Sequence, residues 1–403
     1  MIRVVSASWV LAGRGGGGVI PDGAVALDGD WIVAVGPRPE VEAQHGKAER
    51  RAAVLLPAFV NAHLHLELSH LAGEVPGGAG LPAWIATFVR TRARLRDRDP
   101  RPAMQVAARS LVRAGVAAVA DISNTLASLE PLGAEGIAGT VFHEVFGLTR
   151  ASFEAAKADL SVVTRAAAPP PPGIAMWLSP HALYSTWHPL LVELLHAGPG
   201  SLHLAEDPAE RTFVSEARGG FADLVKRMGT RAEDVVPRAR SPVALVAPHL
   251  RPHHLAVHCV DLDDEDVALL KASGATVVLC PRSNAYIGCG TPRLDALLAA
   301  GVPLAIGTDS LASAPSLSPL ADAAALRRAF RGVPASRIVP LLWNGPAVGA
   351  PHVGALVPGR APGVLAVPAG STLVDEPYEL LLSLGAEDGS LEWVSRQRSE
   401  VFS

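Results

Sequence analysis

Cysteine is scarce: three in 403 residues, Cys259, Cys280 and Cys289, with no CxxC pair among them. An odd, dispersed set cannot build the disulfide framework of a secreted scaffold, so the thiols are read as reduced and the chain as cytoplasmic. Lysine is nearly absent, with only Lys47, Lys157, Lys226 and Lys271 among 35 basic residues, and the basic positions are scattered. With a net charge of −4, that distribution lacks the basic face of a nucleic-acid binder and leaves small molecules as the expected partners. Charge is sparse as well, 18% of residues against 49% hydrophobic, which excludes a disordered chain and suits buried parallel strands. No apolar export signal opens the sequence, because residues 9–18 run straight into glycines. Residues 338–359 are uncharged over a membrane-spanning length, but Pro340, Pro346, Pro351 and Pro358 would break any such helix, so no membrane partner is expected. A homodimer is left open.

What is present is a repeated pattern. Residues 1–56 read as short strands at 2–6, 23–27 and 31–36, separated by glycines and the Asp28-Gly29-Asp30 turn. From Val54 onward an apolar strand, a loop and an amphipathic helix recur about eight times, which predicts an α/β chain folded as a (β/α)8 TIM barrel over residues 57–348. The first barrel strand is expected to end at His63 and His65. The others are expected at 117–122, 139–144, 174–179, 201–204, 255–259, 276–280 and 303–307. Strand-like segments return at 363–367 and 392–402, so residues 1–56 and 349–403 are expected to join in a small discontinuous β-sandwich domain. Two proline-interrupted stretches, a stiff loop at 169–172 and an extended connection at 230–252, are candidate edges of a site.

The chemistry begins with His63-Leu64-His65, which puts two imidazoles at i and i+2 of a strand and hence on one face. His203 lies within the fifth strand, His258 in the sixth, and Asp309 follows the eighth, so all five converge on the C-terminal rim of the barrel. Core packing would not choose those residues there. Imidazoles with one carboxylate suit Zn²⁺ or Fe²⁺, not Ca²⁺ or Mg²⁺. A cation of that kind takes the pKa of a bound water from 15.7 to about 7, roughly 12 kcal/mol in proton affinity. Glu206, three residues after His203, is the expected proton shuttle, against the alternative of a solvent-facing acidic turn with Asp207. His258 is assigned to catalysis, not coordination, as a neutral imidazole holding the attacking water or developing alkoxide.

Pro57-Ala58-Phe59-Val60-Asn61-Ala62-His63-Leu64-His65, His203 with Glu206, His258 and Gly307-Thr308-Asp309 together resemble the amidohydrolase superfamily, over nearly the whole chain. Within it the likeness is to mononuclear cytosine- and adenosine-type deaminases and chlorohydrolases. It implies one divalent ion on His63, His65, His203 and Asp309, with Glu206 and His258 as acid/base residues. No lysine closes the third or fourth strand, where a carbamate bridge between two metals would need one, so a single metal is expected. Narrower stretches, His65-Leu66-Glu67-Leu68-Ser69-His70-Leu71, Cys280-Pro281-Arg282-Ser283-Asn284 and Gly307-Thr308-Asp309-Ser310-Leu311-Ala312-Ser313, resemble aminodeoxyfutalosine deaminases of menaquinone biosynthesis. That likeness implies hydrolysis of the 6-amino group of an adenosine with a carboxyphenyl-ketone tail. His181 stands where related enzymes bind substrate, and Glu67, Arg282 and Asn284 are further candidates; Arg282 is a match for a substrate carboxylate. Trp84 is either pocket wall or helix core. The pattern departs from the superfamily after Gly359, where Ala361-Pro362-Gly363 replaces a common Ala-Asp-Leu. The competing readings are another hydrolase of this fold, a different deaminase or a dechlorinase, and a noncatalytic scaffold.

Overall fold

The apolar run from residue 52 to 60 reads as one strand but bends at Pro57, and its two halves enter different sheets. The computed structural model describes residues 1–15, 18–155, 158, 169–370, 376–384 and 390–396. Before the bend, β4 (Arg50–Pro57) pairs in parallel with β1 (Ile2–Leu11), which pairs antiparallel with β2 (Val19–Asp28), as β2 does with β3 (Trp31–Pro37). On its other side β4 pairs antiparallel with β13 (Val364–Val367), and β13 with β14 (Glu392–Ser395). Among the described residues this small domain is therefore one mixed six-stranded sheet, order β14-β13-β4-β1-β2-β3, drawn from both ends of the chain. One face buries Val5, Val10, Val25, Leu55 and Val364; the other packs Val4, Ala24 and Ala26 against Val41 of a short helix, Arg38–His45. Residues 397–402, the rest of the expected last strand, lie outside the described residues.

Beyond the bend the eight barrel strands are β5 (Phe59–Leu64), β6 (Val116–Ser123), β7 (Ala138–Val145), β8 (Ile174–Pro180), β9 (Gly200–Leu204), β10 (His254–His258), β11 (Thr276–Leu279) and β12 (Leu304–Ile306). They form two parallel four-stranded arcs, β5 to β8 and β9 to β12. Bridges between Ala182 and His203 and between Leu64 and Asp309 close the arcs into a barrel. Gly307 permits the second closure: a Cβ there would stand 2.8 Å from His63 Cβ and 2.9 Å from the His63 carbonyl oxygen. Val60, Ala62, Ala118, Ala120, Leu255, Val257, Val278 and Ala305 meet inside the barrel, while Leu64, Leu202, Leu204, Leu279 and Ile306 pack outward with the helices.

That division shows where the pleat must break. Regular alternation carries the inward side through Val60 and Ala62 and would leave His63 facing out. Asn61 pairs with Val119 but Leu64 with Asp121, so β5 spends three residues where β6 spends two. This β-bulge reverses the phase, sends Leu64 outward and delivers His63 and His65 to the mouth.

Residues 230–252 are not extended. They fold into helical turns at Ala232–Val235, Pro242–Val246 and Ala247–His249, the middle one started by Ser241, whose hydroxyl accepts from Ala244 N with Pro242 in the first turn. Residues 338–359 likewise break into the short turns Val339–Trp343 and Gly345–Val348, and no helix among the described residues is long and apolar enough to cross a membrane.

Candidate active site

Four strand ends and a loop supply the site. His63 comes from β5, His65 follows it, and His203 comes from β9, where Leu202 and Leu204 face out and so leave the ring facing in. Asp309 keeps the phase of Ala305. The ring nitrogens of His65 and His203, both Nε2, stand 3.3 Å apart, and Asp309 Oδ1 lies 3.6 Å from His65 Nε2 and 3.9 Å from His63 Nε2. These are not ion pairs, because the rings are neutral. Burial drives His63 far below the usual histidine range, with the neighbouring imidazoles adding to it; burial also holds His65 down to about 4 despite the Asp309 charge, and lowers His203.

Whether these residues fit a divalent ion is decided by the partners they lack. Both ring nitrogens of His63 are buried with no hydrogen-bond partner, and Nε2, the one that faces Asp309, is free to give a lone pair to a cation. His203 Nδ1 donates to the His181 carbonyl oxygen at 3.1 Å, leaving a lone pair on Nε2 aimed at the gap. Asp309 is similarly divided. Its Oδ2 accepts from Ser283 Oγ at 2.5 Å and Ser313 Oγ at 2.9 Å, so Oδ1 is the oxygen left for the gap. Burial opposes ionisation of Asp309, yet the imidazoles around it bring it below the ordinary carboxylate value. Three neutral imidazoles and one carboxylate converging on one gap fit a zinc- or iron-type cation.

His258 belongs to the same cluster but is tied differently. Its Nδ1 receives the Asn284 amide at 3.0 Å, so Nε2 carries the ring proton and points at Glu206 Oε2, 3.5 Å away. Burial pushes this ring down to about 3. Glu206 is buried as well, 3% exposed, not the solvent-facing turn of the alternative reading. Burial, and then the charges of Asp309 and Glu210, raise it well above the usual carboxyl range. The next residue explains the order of this loop. Asp207 Oδ1 caps the helix Pro208–Glu216 at Ala209 N, 2.8 Å, while Oδ2 accepts from Leu81 N at 3.0 Å, tying in the start of the helix Leu81–Arg94.

A cavity of about 820 Å³ opens above this floor, lined at depth by His65, Glu144, His181, His203, Glu206 and Asp309. Its outer wall includes Trp84, which therefore is pocket wall as well as nearly buried, at 9% exposed. His181 is in place on the cavity wall, its ring tilted against Phe146 with ring centres 4.7 Å apart.

Three other expected substrate contacts are not. Arg282 turns away from the cavity, donating to Asp322, to Ser316 Oγ and to the carbonyls of Ser316 and Ser318, so its guanidinium is consumed by structure. Glu67 accepts from the backbone N–H groups of Asn124, Thr125 and Ala127 and from the hydroxyls of Ser123 and Thr125, which makes it the organiser of the loop after β6. Asn284 touches His258 instead of the cavity. The loops at 169–172 and 230–252 do not line it either. Glu144 is the residue the sequence reading passed over. It ends β7 at the same rim, accepts from Asn124 Nδ2 at 3.0 Å, and is raised by burial to about 8. Its place at the close of an expected barrel strand was the available signal.

A parallel barrel whose C-terminal mouth gathers three neutral imidazoles, a carboxylate and a second buried carboxyl has the make-up of a metal-dependent hydrolase. Residues 54–348 match the Amidohydrolase family, and residues 23–48 an imidazolonepropionase-like composite domain of bacteria. The chain is 32% identical over 346 residues to an aminodeoxyfutalosine deaminase of Deinococcus radiodurans, 79% of each chain. It is 29% identical over 320 residues to a 5-methylthioadenosine/S-adenosylhomocysteine deaminase of Nitratidesulfovibrio vulgaris, 74% of this chain and 67% of that one. Among solved structures, Helicobacter pylori aminofutalosine deaminase in complex with methylthio-coformycin superposes with a TM-score of 0.83 at 21% identity, covering 97% of both chains. An adenosine deaminase from Xanthomonas campestris with bound zinc gives 0.76 at 21% identity, covering 99% of this chain and 94% of that chain. The chain belongs to the amidohydrolase family and is a hydrolytic enzyme acting on C–N bonds.

Proposed function

We propose that the enzyme removes the 6-amino group of an adenine nucleoside as ammonia, with aminodeoxyfutalosine as the substrate, and so serves menaquinone formation in the cytoplasm. His63, His65, His203 and Asp309 would hold one Zn²⁺ or Fe²⁺, which supplies the acidity that makes water a nucleophile near neutral pH. Glu206 takes the proton from that water and passes it to the purine nitrogen beside C6, leaving C6 electron-poor. Water oxygen bonds to C6, and the carbon becomes tetrahedral. The protonated Nε2 of His258, fixed by Asn284, donates to the oxygen developing there. The C6 hydroxyl gives its proton to Glu206, which passes it to the amine; the C–N bond breaks, and ammonia leaves a 6-oxo purine. His181, at the side of the cavity, contacts the nucleoside.

The observation that carries this reading is Glu206: a buried carboxyl, 3.5 Å from the His258 ring nitrogen, at the floor of a cavity large enough for a nucleoside. The family resemblance and the 32% identity to an aminodeoxyfutalosine deaminase support the substrate. The methylthioadenosine/S-adenosylhomocysteine deaminase relatives support a second reading, in which the sugar carries a thioether instead. Ammonia release from purified metal-loaded enzyme offered aminodeoxyfutalosine, 5-methylthioadenosine and adenosine separates them; preference for the last two rejects the first assignment. Glu206→Gln is expected to keep its metal and lose roughly 10²- to 10⁴-fold in kcat. Loss of the metal from that variant would refute the role given to Glu206.

A further inference from the structure

The cavity is larger than a nucleoside needs. About 20 non-hydrogen atoms fill roughly 300 Å³ at the density of a protein interior, less than half of the 820 Å³ here. The remaining space lies beneath two helices, Leu81–Arg94 and Gly220–Arg227. They meet where Gly220 approaches Pro82 so closely that a Cβ would stand 2.7 Å from Pro82 Cβ. The second helix is further fixed by Phe221, stacked on Tyr184 with ring centres 4.0 Å apart.

The wall these helices present is apolar in body and basic at its edge. Trp84 and Phe88 stack at 5.2 Å, and Val89 and Met228, 57% and 70% exposed, extend the apolar surface to the opening. Large apolar side chains left that exposed around a cavity mark a surface meant to be covered. Arg92 and Arg227 line the same cavity from the two helices, and among the described residues neither makes a hydrogen bond or an ion pair. Neighbouring Arg94 and Arg98 are committed to Glu74, while Arg90, which also lines the cavity, donates to Thr87 Oγ1 and adds to the positive edge. Every carboxyl lining the cavity, Glu144, Glu206 and Asp309, is buried at the floor. Among the described residues no carboxylate forms an ion pair with Arg92 or Arg227, and the one cavity carboxyl that feels the charge of Arg92 is the buried Glu144.

We propose that Arg92 and Arg227 select substrates whose sugar carries an apolar tail ending in a carboxylate, the tail lying on Trp84 and Phe88 and the carboxylate meeting the guanidinium groups. This rests on the nucleoside deaminase reading above and gives the rim the carboxylate contact that Arg282, bound to Asp322, does not make. A planar guanidinium pairs with a carboxylate through two parallel bonds, so the selection is geometric as well as electrostatic. A neutral thioether tail would share the apolar contact and gain nothing from the edge.

The test compares Arg92→Met, Arg227→Met and the double variant on aminodeoxyfutalosine, whose tail ends in a carboxylate, and on 5-methylthioadenosine, whose tail is neutral. Each single change is expected to lower kcat/KM about tenfold on the anionic substrate, through KM, and to leave the neutral one within about twofold. Arg→Lys should recover part of that loss, and added salt should weaken only the anionic substrate. Equal changes on both substrates, or none on either, overturn the proposal. Calorimetric binding of the corresponding 6-oxo nucleosides, with and without the carboxylate, reads the rim without turnover. A wild-type enzyme that binds both alike refutes the rim even if it deaminates, and one that prefers the anion but releases no ammonia refutes the deaminase reading alone.

Discussion

Asp207 offers the sharpest test of how the fold holds the site, since one side chain starts two helices. Truncating it to Ala removes an N-cap, worth about 1 kcal/mol, and leaves Leu81 N buried without an acceptor, worth a further 1 to 3 kcal/mol or so. The sum is about 3 kcal/mol. At roughly 2.1 cal/mol/K per residue, the unfolding entropy of a chain this size is near 0.85 kcal/mol/K, so the melting temperature should fall by about 4 °C. Asn keeps one acceptor oxygen and loses the other, so Asp207→Asn should fall between. Thermal melts of the metal-loaded proteins measure the sum, and amide hydrogen exchange at Leu81 and Ala209 separates its parts. If Asp207→Ala melts within a degree of wild type, or if both amides stay protected, the double cap is not what holds the helix Leu81–Arg94 in place.

Two further outcomes follow from groups around the site. Ser283→Ala with Ser313→Ala frees Asp309 Oδ2 and should weaken metal binding roughly 10- to 100-fold in a chelator competition; unchanged affinity would show that the hydroxyls do not orient the carboxylate. Glu210, raised by burial to about 8 from an ordinary 4.5, keeps its proton in the folded chain after the unfolded chain has lost it. Stability of the metal-free protein should therefore fall as pH rises from 4.5 to 8, by up to about 1.4 kcal/mol per pH unit from this group. Glu210→Gln should flatten that slope in urea midpoints taken across the range, and parallel curves for the two proteins would contradict it.

Much of the barrel could be read from periodicity, because each strand is an apolar run of the right length ending near a polar rim residue. β6 at Val116–Ser123 and β9 at Gly200–Leu204 fall within a residue or two of expectation. What hydrophobicity alone conceals is a change of sheet within one apolar run. Residues 52–60 carry no polar interruption, so only Pro57 hints that β4 leaves for the small domain. The bulge in β5 is equally silent, since His63-Leu64-His65 suggests one shared face whether or not the preceding residues keep the pleat. Long polar side chains were harder still. Arg282 and Glu67 lie in motifs that surround the site, but their direction depends on Asp322 and on the backbone after β6, partners 40 and about 57 residues away. Arg92 and Arg227 sit on helix faces that sequence marks only as solvated.

The mouth also holds backbone that no propensity scale would choose. Among the described residues seven non-glycine positions have positive φ, and four of them cluster here: Ala205 at 50°, His258 at 72°, Cys259 at 49° and Asp309 at 59°. Each costs about 1 kcal/mol or more, so the rim stores roughly 4 kcal/mol that the barrel must offset. It does so by cross-linking strand ends: Cys259 N donates to Leu204 O, Val260 N and Asp261 N to Ala205 O, and Asp309 N to His63 O, at 2.8–3.1 Å. The strain has a directional effect at His258. Leu255 and Val257 face the barrel interior, so a regular strand would turn the next side chain toward the helices. The left-handed turn brings the ring back over the mouth, where Asn284 meets one nitrogen and Glu206 the other. A relaxed strand end would keep the residue and lose the contact with Glu206, which is why the strain belongs to the site and not to the barrel.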